Sequence, residues 1–237
     1  MSIEDPTVAP PPAPVITAAD PAGFPYSVFH DRHPRLFAQL RDALPYGPEQ
    51  LEALRRFEYE TLHEPIGPLD PQEAAAAGDH AAWAEWGAEY IGRGVAWTEP
   101  PFLWSESYFY RRLLSATGYF RGAWRGVDPF GPLKAASLAG PDVDRELAAY
   151  GGHDELSPAE RDAALLTACL WGNQADLGFQ LIAGEPVGVS LLVDDNPAIW
   201  AHLNGQPAGR VNVVADNAAE ELLPDLLLLD HLLTTGR

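Results

Sequence analysis

The C-terminal end of the chain carries its most restrictive pattern. Val187-Gly-Val-Ser-Leu-Leu-Val193 and Arg210-Val-Asn-Val-Val-Ala215 are short apolar runs rich in β-branched residues. The first runs into Asp194-Asp195 and the second into Asp216-Asn217. Residues 197–203 between them suit a short helix closed by Asn204-Gly205, and residues 218–234, with Leu222, Leu223, Leu226, Leu229, Leu232 and Leu233, suit a longer one. Strand, crossover, strand, helix is the signature of a parallel α/β sheet. Parallel strands need cover on both faces and several neighbours, so two cannot stand alone. The expectation is the start of a larger α/β/α sandwich, truncated at Arg237. Its unpaired strand edge and uncovered sheet face would favour self-association.

Upstream the pattern is helical. Residues 1–23, with Ala9-Pro-Pro-Pro-Ala-Pro14 and Asp20-Pro-Ala-Gly23, offer no periodic apolar face and read as a disordered or polyproline-II leader. Phe29, Leu36, Phe37 and Leu40 approximate helical spacing, and a second helix fits residues 48–62, ahead of Pro65. Trp83, Trp86 and Tyr90 share one helix face, as do Trp104, Tyr108 and Leu113, with Phe109 and Leu114 beside them. Ser157-Pro-Ala-Glu160 is a capping-box pattern that opens a helix reaching Gly172. The expected organisation is a leader (1–23), a helical domain (24–186) and the first part of an α/β domain (187–237).

Charge narrows the partners. Asp and Glu number 34 against 15 Lys and Arg, a formal net charge of −19, and Lys134 is the only lysine. Such a surface repels phosphate backbones and anionic lipid, which argues against a nucleic acid or membrane partner. Cys169 is the one cysteine, so neither an intramolecular disulfide nor a cysteine zinc cage can form. No run approaches the roughly 20 apolar residues that span a bilayer, and the start lacks a basic, apolar signal segment. The expected location is cytoplasmic.

In open α/β sheets ligands bind outside the carboxyl ends of the strands. At such an end Asp216 and Asn217 offer hard oxygen donors to Mg²⁺ or Mn²⁺, and the adjoining helix N-terminus offers N–H groups to a phosphate. Asn217 with Glu220 is equally a helix cap, and the two readings are compatible. Glu221 lies one turn into the helix, within reach of the same site or simply complementing the helix dipole. Asp194-Asp195 before Asn196-Pro197 reads as a helix start. Asn173 and Asp176 follow a Gly helix stop. His30 and His33 have a His-x-x-His spacing on what reads as a basic, solvated helix face, and Arg111-Arg112 reads as a pair serving acidic neighbours.

Taken together, Trp104-Ser-Glu-Ser-Tyr-Phe-Tyr-Arg-Arg-Leu113, Asp128-Pro-Phe130, Leu170-Trp-Gly-Asn-Gln-Ala-Asp-Leu177 and Val213-Val-Ala-Asp-Asn-Ala-Ala-Glu-Glu-Leu222 followed by Asp225-Leu resemble the damage-control phosphatase family. The likeness is to the subgroup of acidic-residue methyltransferase-like proteins, and Val28-Phe-His-Asp-Arg-His-Pro34 fits it too. The resemblance implies an α/β/α domain joined to a helical one, and a phosphatase dependent on Mn²⁺, Co²⁺ or Ni²⁺, with Mg²⁺ also suitable. The implied substrates are small phosphorylated metabolites such as sugar phosphates. By motif, Asp216 and Asn217 match metal ligands, with Asp216 the central catalytic position. Glu221 matches an acidic position at the substrate pocket, and Asn173 and Asp176 match an element bordering it. The resemblance further implies a continuation with a third metal-binding Asp, a Lys-Gly-Asp/Glu element and an Arg-Thr-x-Lys motif, none of them in this sequence. Ala219 and Glu220 also depart from the family pattern. Pro224, inside the expected helix, should cost roughly 3 kcal/mol unless the helix kinks or restarts there. Two other readings stand beside this one: a non-catalytic remnant or binding module, and an S-adenosylmethionine-dependent carboxyl methyltransferase.

Overall fold

The computed structural model describes residues 13–151, 156–170, 191, 193–207, 209–215, 218 and 222–237. These divide into two compact units, Met1–Gly131 and Pro132–Arg237. The boundary expected between residues 186 and 187 falls outside the described residues.

The first unit is built on an aromatic core. Helix α1 (Phe24–Ser27), a π-helical turn (Val28–Arg32) and α2 (His33–Ala43) run on from one another, and α3 (Pro48–His63) returns beside α2. The short helices α4 (Pro71–Ala77) and α5 (His80–Trp86) lead to α6 (Phe102–Ala116), which packs on α3. The apolar spacing read from the sequence is the buried face of α6: Trp104, Ser105, Tyr108, Phe109 and Leu113. Phe109 is the hub. It touches the rings of Phe29, Phe37 and Phe57 at centroid distances of 6.3, 5.6 and 5.4 Å. Offset and edge-to-face contacts of this kind each add about 0.5–1.5 kcal/mol beyond area burial.

Part of the segment read as a disordered or polyproline-II leader is held by backbone pairing. The Phe102 N–H donates to the Ile16 carbonyl and the Ala18 N–H to that of Thr98, and Ala18 is buried.

The second unit contains α7 (Gly131–Leu138), which begins at the boundary, α8 (Pro141–Gly151), α9 (Pro158–Leu170), α10 (Asn196–Gly205) and α11 (Leu222–Thr234). Leu165, Trp200, Leu228 and Leu232 form its core, with Leu166, Cys169 and Leu227 against them. The capping box opening α9 is present: Ser157 N–H donates to Glu160 Oε2 at 2.9 Å, and Glu160 N–H to Ser157 Oγ at 3.4 Å. Pro224 lies within α11 and is buried.

The α/β fold class is overturned. The described residues contain helices and two isolated antiparallel bridges, Thr17 with Pro101 and Pro65 with Ala96, but no strand or sheet. Residues 210–215, read as a parallel strand, follow an irregular path, with Val211 and Val214 exposed. β-branched composition suits a pleated, covered surface but does not supply one, and no neighbouring strand covers this run among the described residues. Residues 187–190 and 192 of the other run lie outside the described residues. The sheet edge invoked for self-association is likewise absent from them.

Candidate functional site

Asp216, Asn217, Glu221, Asn173 and Asp176 all lie outside the described residues. The helices that lead into both segments are described. The chain leaves α9 at Leu170, three residues before Asn173, and joins α11 at Leu222, one residue after Glu221 and six after Asp216.

The two helices run antiparallel. Near the start of α9 and the end of α11, His231 Nε2 donates to Asp162 Oδ1 at 2.6 Å, both side chains being buried. Leu165 and Leu228 share the core at mid-length. At the other end, the Asp225 carboxylate lies beside the Cys169 thiol and acts on its pKa. Leu170 and Leu222 therefore lie at the same end of the pair, although they stand 52 positions apart (222 − 170).

That end is electrostatically unusual. Burial, together with the charge of Asp225 and its hydrogen bond, pushes the Cys169 thiol up to about 12. A thiol so raised is protonated at neutral pH and a poor nucleophile. Among the described residues, no three His, Cys, Asp or Glu side chains are grouped to hold a metal ion.

Elsewhere the structure sorts the residues singled out from the sequence. Asp194 and Asp195 serve the start of α10, Asp194 Oδ1 accepting the Asn196 N–H at 3.0 Å. Arg111 and Arg112 serve acidic neighbours, as read. Arg111 Nε and Nη2 donate to Asp79 at 2.6 and 3.2 Å. Burial works to raise the Asp79 carboxyl, but the Arg111 hydrogen bond and charge, the Trp83 indole and a backbone N–H outweigh it and hold it low. Arg112 donates to Glu60 Oε2 at 2.6 Å and to the Gly67 carbonyl at 2.7 Å. The solvated-face reading of His33 is overturned: it is fully buried, stacked on Phe109, with neither ring nitrogen bonded. His30 stacks on Tyr26, and its Nδ1 lies 3.0 Å from the Tyr26 carbonyl.

Asp162 and His231 were not singled out from the sequence, though a signal existed. Each sits on an apolar helix face, three residues before Leu165 and three after Leu228. A polar side chain on a buried face needs a partner there.

Residues 28–237 match the model of the Damage-control phosphatase ARMT1-like domain, and the chain belongs to that family. Among characterised proteins it is similar to Damage-control phosphatase ARMT1 of Danio rerio, with 27% identity over 274 residues covering 93% of this chain and 59% of that one. The Mus musculus protein of the same name is 26% identical over 271 residues, covering 93% and 60%. The chain thus spans about 60% of the length of the curated relatives it matches.

Proposed function

We propose that this protein acts as a metal-dependent phosphatase on small phosphorylated metabolites, sugar phosphates among them. The family match over residues 28–237 carries the reading, because it includes both the Asp216-Asn217 segment and the Asn173-Asp176 segment. The antiparallel α9–α11 pair supports it, since both segments are tethered to the same end of that pair.

Asp216 and Asn217 are a carboxylate and an amide oxygen, hard donors that suit Mg²⁺ or Mn²⁺ and are compatible with Co²⁺ or Ni²⁺. These two would hold the ion. When bound, a divalent cation supplies electrophilic polarisation of the phosphoryl group and offsets its charge. Asp216, the charged donor at the central catalytic position, would help to generate or orient the attacking water or nucleophile. Asn217 adds an oxygen without a second negative charge, which leaves room for an anionic substrate. Glu221 would stand as an acidic side chain at the substrate pocket, with Asn173 and Asp176 bordering it.

Phosphate release from p-nitrophenyl phosphate and from a panel of sugar phosphates, with and without Mn²⁺, tests the proposal. Mn²⁺-stimulated turnover that is lost in Asp216→Ala is expected. Equal rates for wild type and Asp216→Ala would overturn it.

A further inference from the structure

Leucine supplies much of the side that α11 presents to α9, where Pro224 and His231 are buried as well. Leu227, Leu228 and Leu232 pack against Leu165, Leu166 and the rest of the unit's core. Leucine surfaces are nearly interchangeable from one helical turn to the next, so apolar burial alone distinguishes poorly between this register and one shifted by a turn of about 5.4 Å. Two polar contacts break the degeneracy. They are the buried Asp162–His231 hydrogen bond at 2.6 Å and the Cys169–Asp225 contact at the opposite end.

We infer that Asp162 and His231 are positioning residues that set the register of α11 on α9. Slipping by one turn would break the Asp162–His231 hydrogen bond, and burying a polar group without its partner is costly. Fixing a register is the best-attested use of a buried polar pair, which otherwise adds little net stability. Arg237 reinforces the contact: its Nη1 donates to Asp162 Oδ1 at 2.8 Å, and its guanidinium lies over the Trp200 ring, 5.2 Å from the centroid. Leu170 and Leu222 remain level only in this register. The consequence for catalysis rests on the phosphatase reading, since these ends carry the two candidate segments.

Cys169, the sole cysteine, provides the test. A second cysteine is placed as Asp225→Cys, or one turn to either side as Leu222→Cys or Leu229→Cys, and disulfide formation is followed under mild oxidation in the full chain. In the wild-type background, only Asp225→Cys should cross-link efficiently. In the Asp162→Leu/His231→Leu background, cross-linking of Leu222→Cys or Leu229→Cys should rise at least fivefold while thermal melting stays cooperative. An unchanged cross-linking pattern overturns the inference. Should that double variant not fold, His231→Phe, which keeps ring volume and removes the donor, is read in the same way. His231→Gln, which retains a donor, should restore the wild-type pattern. With p-nitrophenyl phosphate, the slipped variants should lose at least tenfold in kcat, and an unchanged kcat in a slipped register would overturn the positioning role. Absence of turnover in the wild type would count against the phosphatase reading alone, because the cross-linking pattern needs no catalysis.

Discussion

His33 lies flat against Phe109, with ring centroids 3.6 Å apart and planes 6° from parallel, and neither imidazole nitrogen has a hydrogen-bond partner. Burial, and secondarily the charge of Arg32, hold its pKa at about 3 instead of 6.5. The unfolded chain therefore takes up a proton at this site before the folded one does. Its contribution is complete above pH 6.5 and is lost as pH falls toward 3. At pH 5 the loss should be roughly 2 kcal/mol. Urea unfolding of wild type and His33→Phe at pH 7 and pH 5 checks this, and the variant should lose less stability by about that amount. Parallel losses would show that the ring does not titrate as argued.

Arg112 and Glu60 form a largely buried pair around the Gly67 backbone, with Glu60 Oε1 accepting the Gly67 N–H at 3.2 Å. Removing one partner strands the other. Arg112→Ala or Glu60→Ala should each cost about 3 kcal/mol or more in denaturant unfolding. Arg112→Met combined with Glu60→Leu should cost less than either, and a strictly additive pair would contradict the account.

A Cβ at Gly67 would stand 3.3 Å from both Arg112 Nη1 and Glu60 Oε1. Gly67→Ala should therefore displace the pair, at a cost of about 1–3 kcal/mol. In an Arg112→Met/Glu60→Leu background most of that penalty should vanish, as a double-mutant cycle will show.

The Cys169 thiol, raised to about 12 by burial and then by Asp225, should react with iodoacetamide at pH 8 far more slowly than a free cysteine, by about tenfold or more. Asp225→Asn should accelerate the reaction by removing the charge. Alkylation followed by mass spectrometry reads both rates, and an Asp225→Asn rate equal to that of wild type would remove Asp225 as a cause.

Asp216→Asn keeps a hard oxygen donor but removes its charge. Under the phosphatase reading, Mn²⁺-stimulated kcat/KM should fall roughly 100-fold, equivalent to about 3 kcal/mol of transition-state stabilisation. Steady-state kinetics over a Mn²⁺ titration checks this. Full recovery at high Mn²⁺ would assign Asp216 to metal affinity alone.

What was legible in the sequence was local. The spacing of Trp104, Tyr108, Phe109 and Leu113 identified the buried face of α6, because helical periodicity places side chains three and four apart on one side. The Ser157–Glu160 cap and the start of α10 after Asp194 and Asp195 were readable for the same reason. That Arg111 and Arg112 would meet acids was legible from charge, but not that the acids would be Asp79 and Glu60, which lie 32 and 52 residues away. The residues proposed for the site by motif, from Asn173 to Glu221, lie outside the described residues.

Residue type alone misled at two places. Residues 210–215 have strand composition, yet a strand exists only where a partner ladder satisfies its backbone. His33 looked solvated because histidine is polar, but the ring area it shares with Phe109 buried it. The sequence by itself determined the helices with a clear apolar period, among them α3, α6 and α9, because that period depends on neighbours within a turn or two. The tertiary structure alone decided that Asp162 meets His231 across 69 residues and that α9 and α11 run antiparallel. Such contacts are selected by the cost of leaving a buried polar group unpaired, and that cost is settled only when distant helices pack.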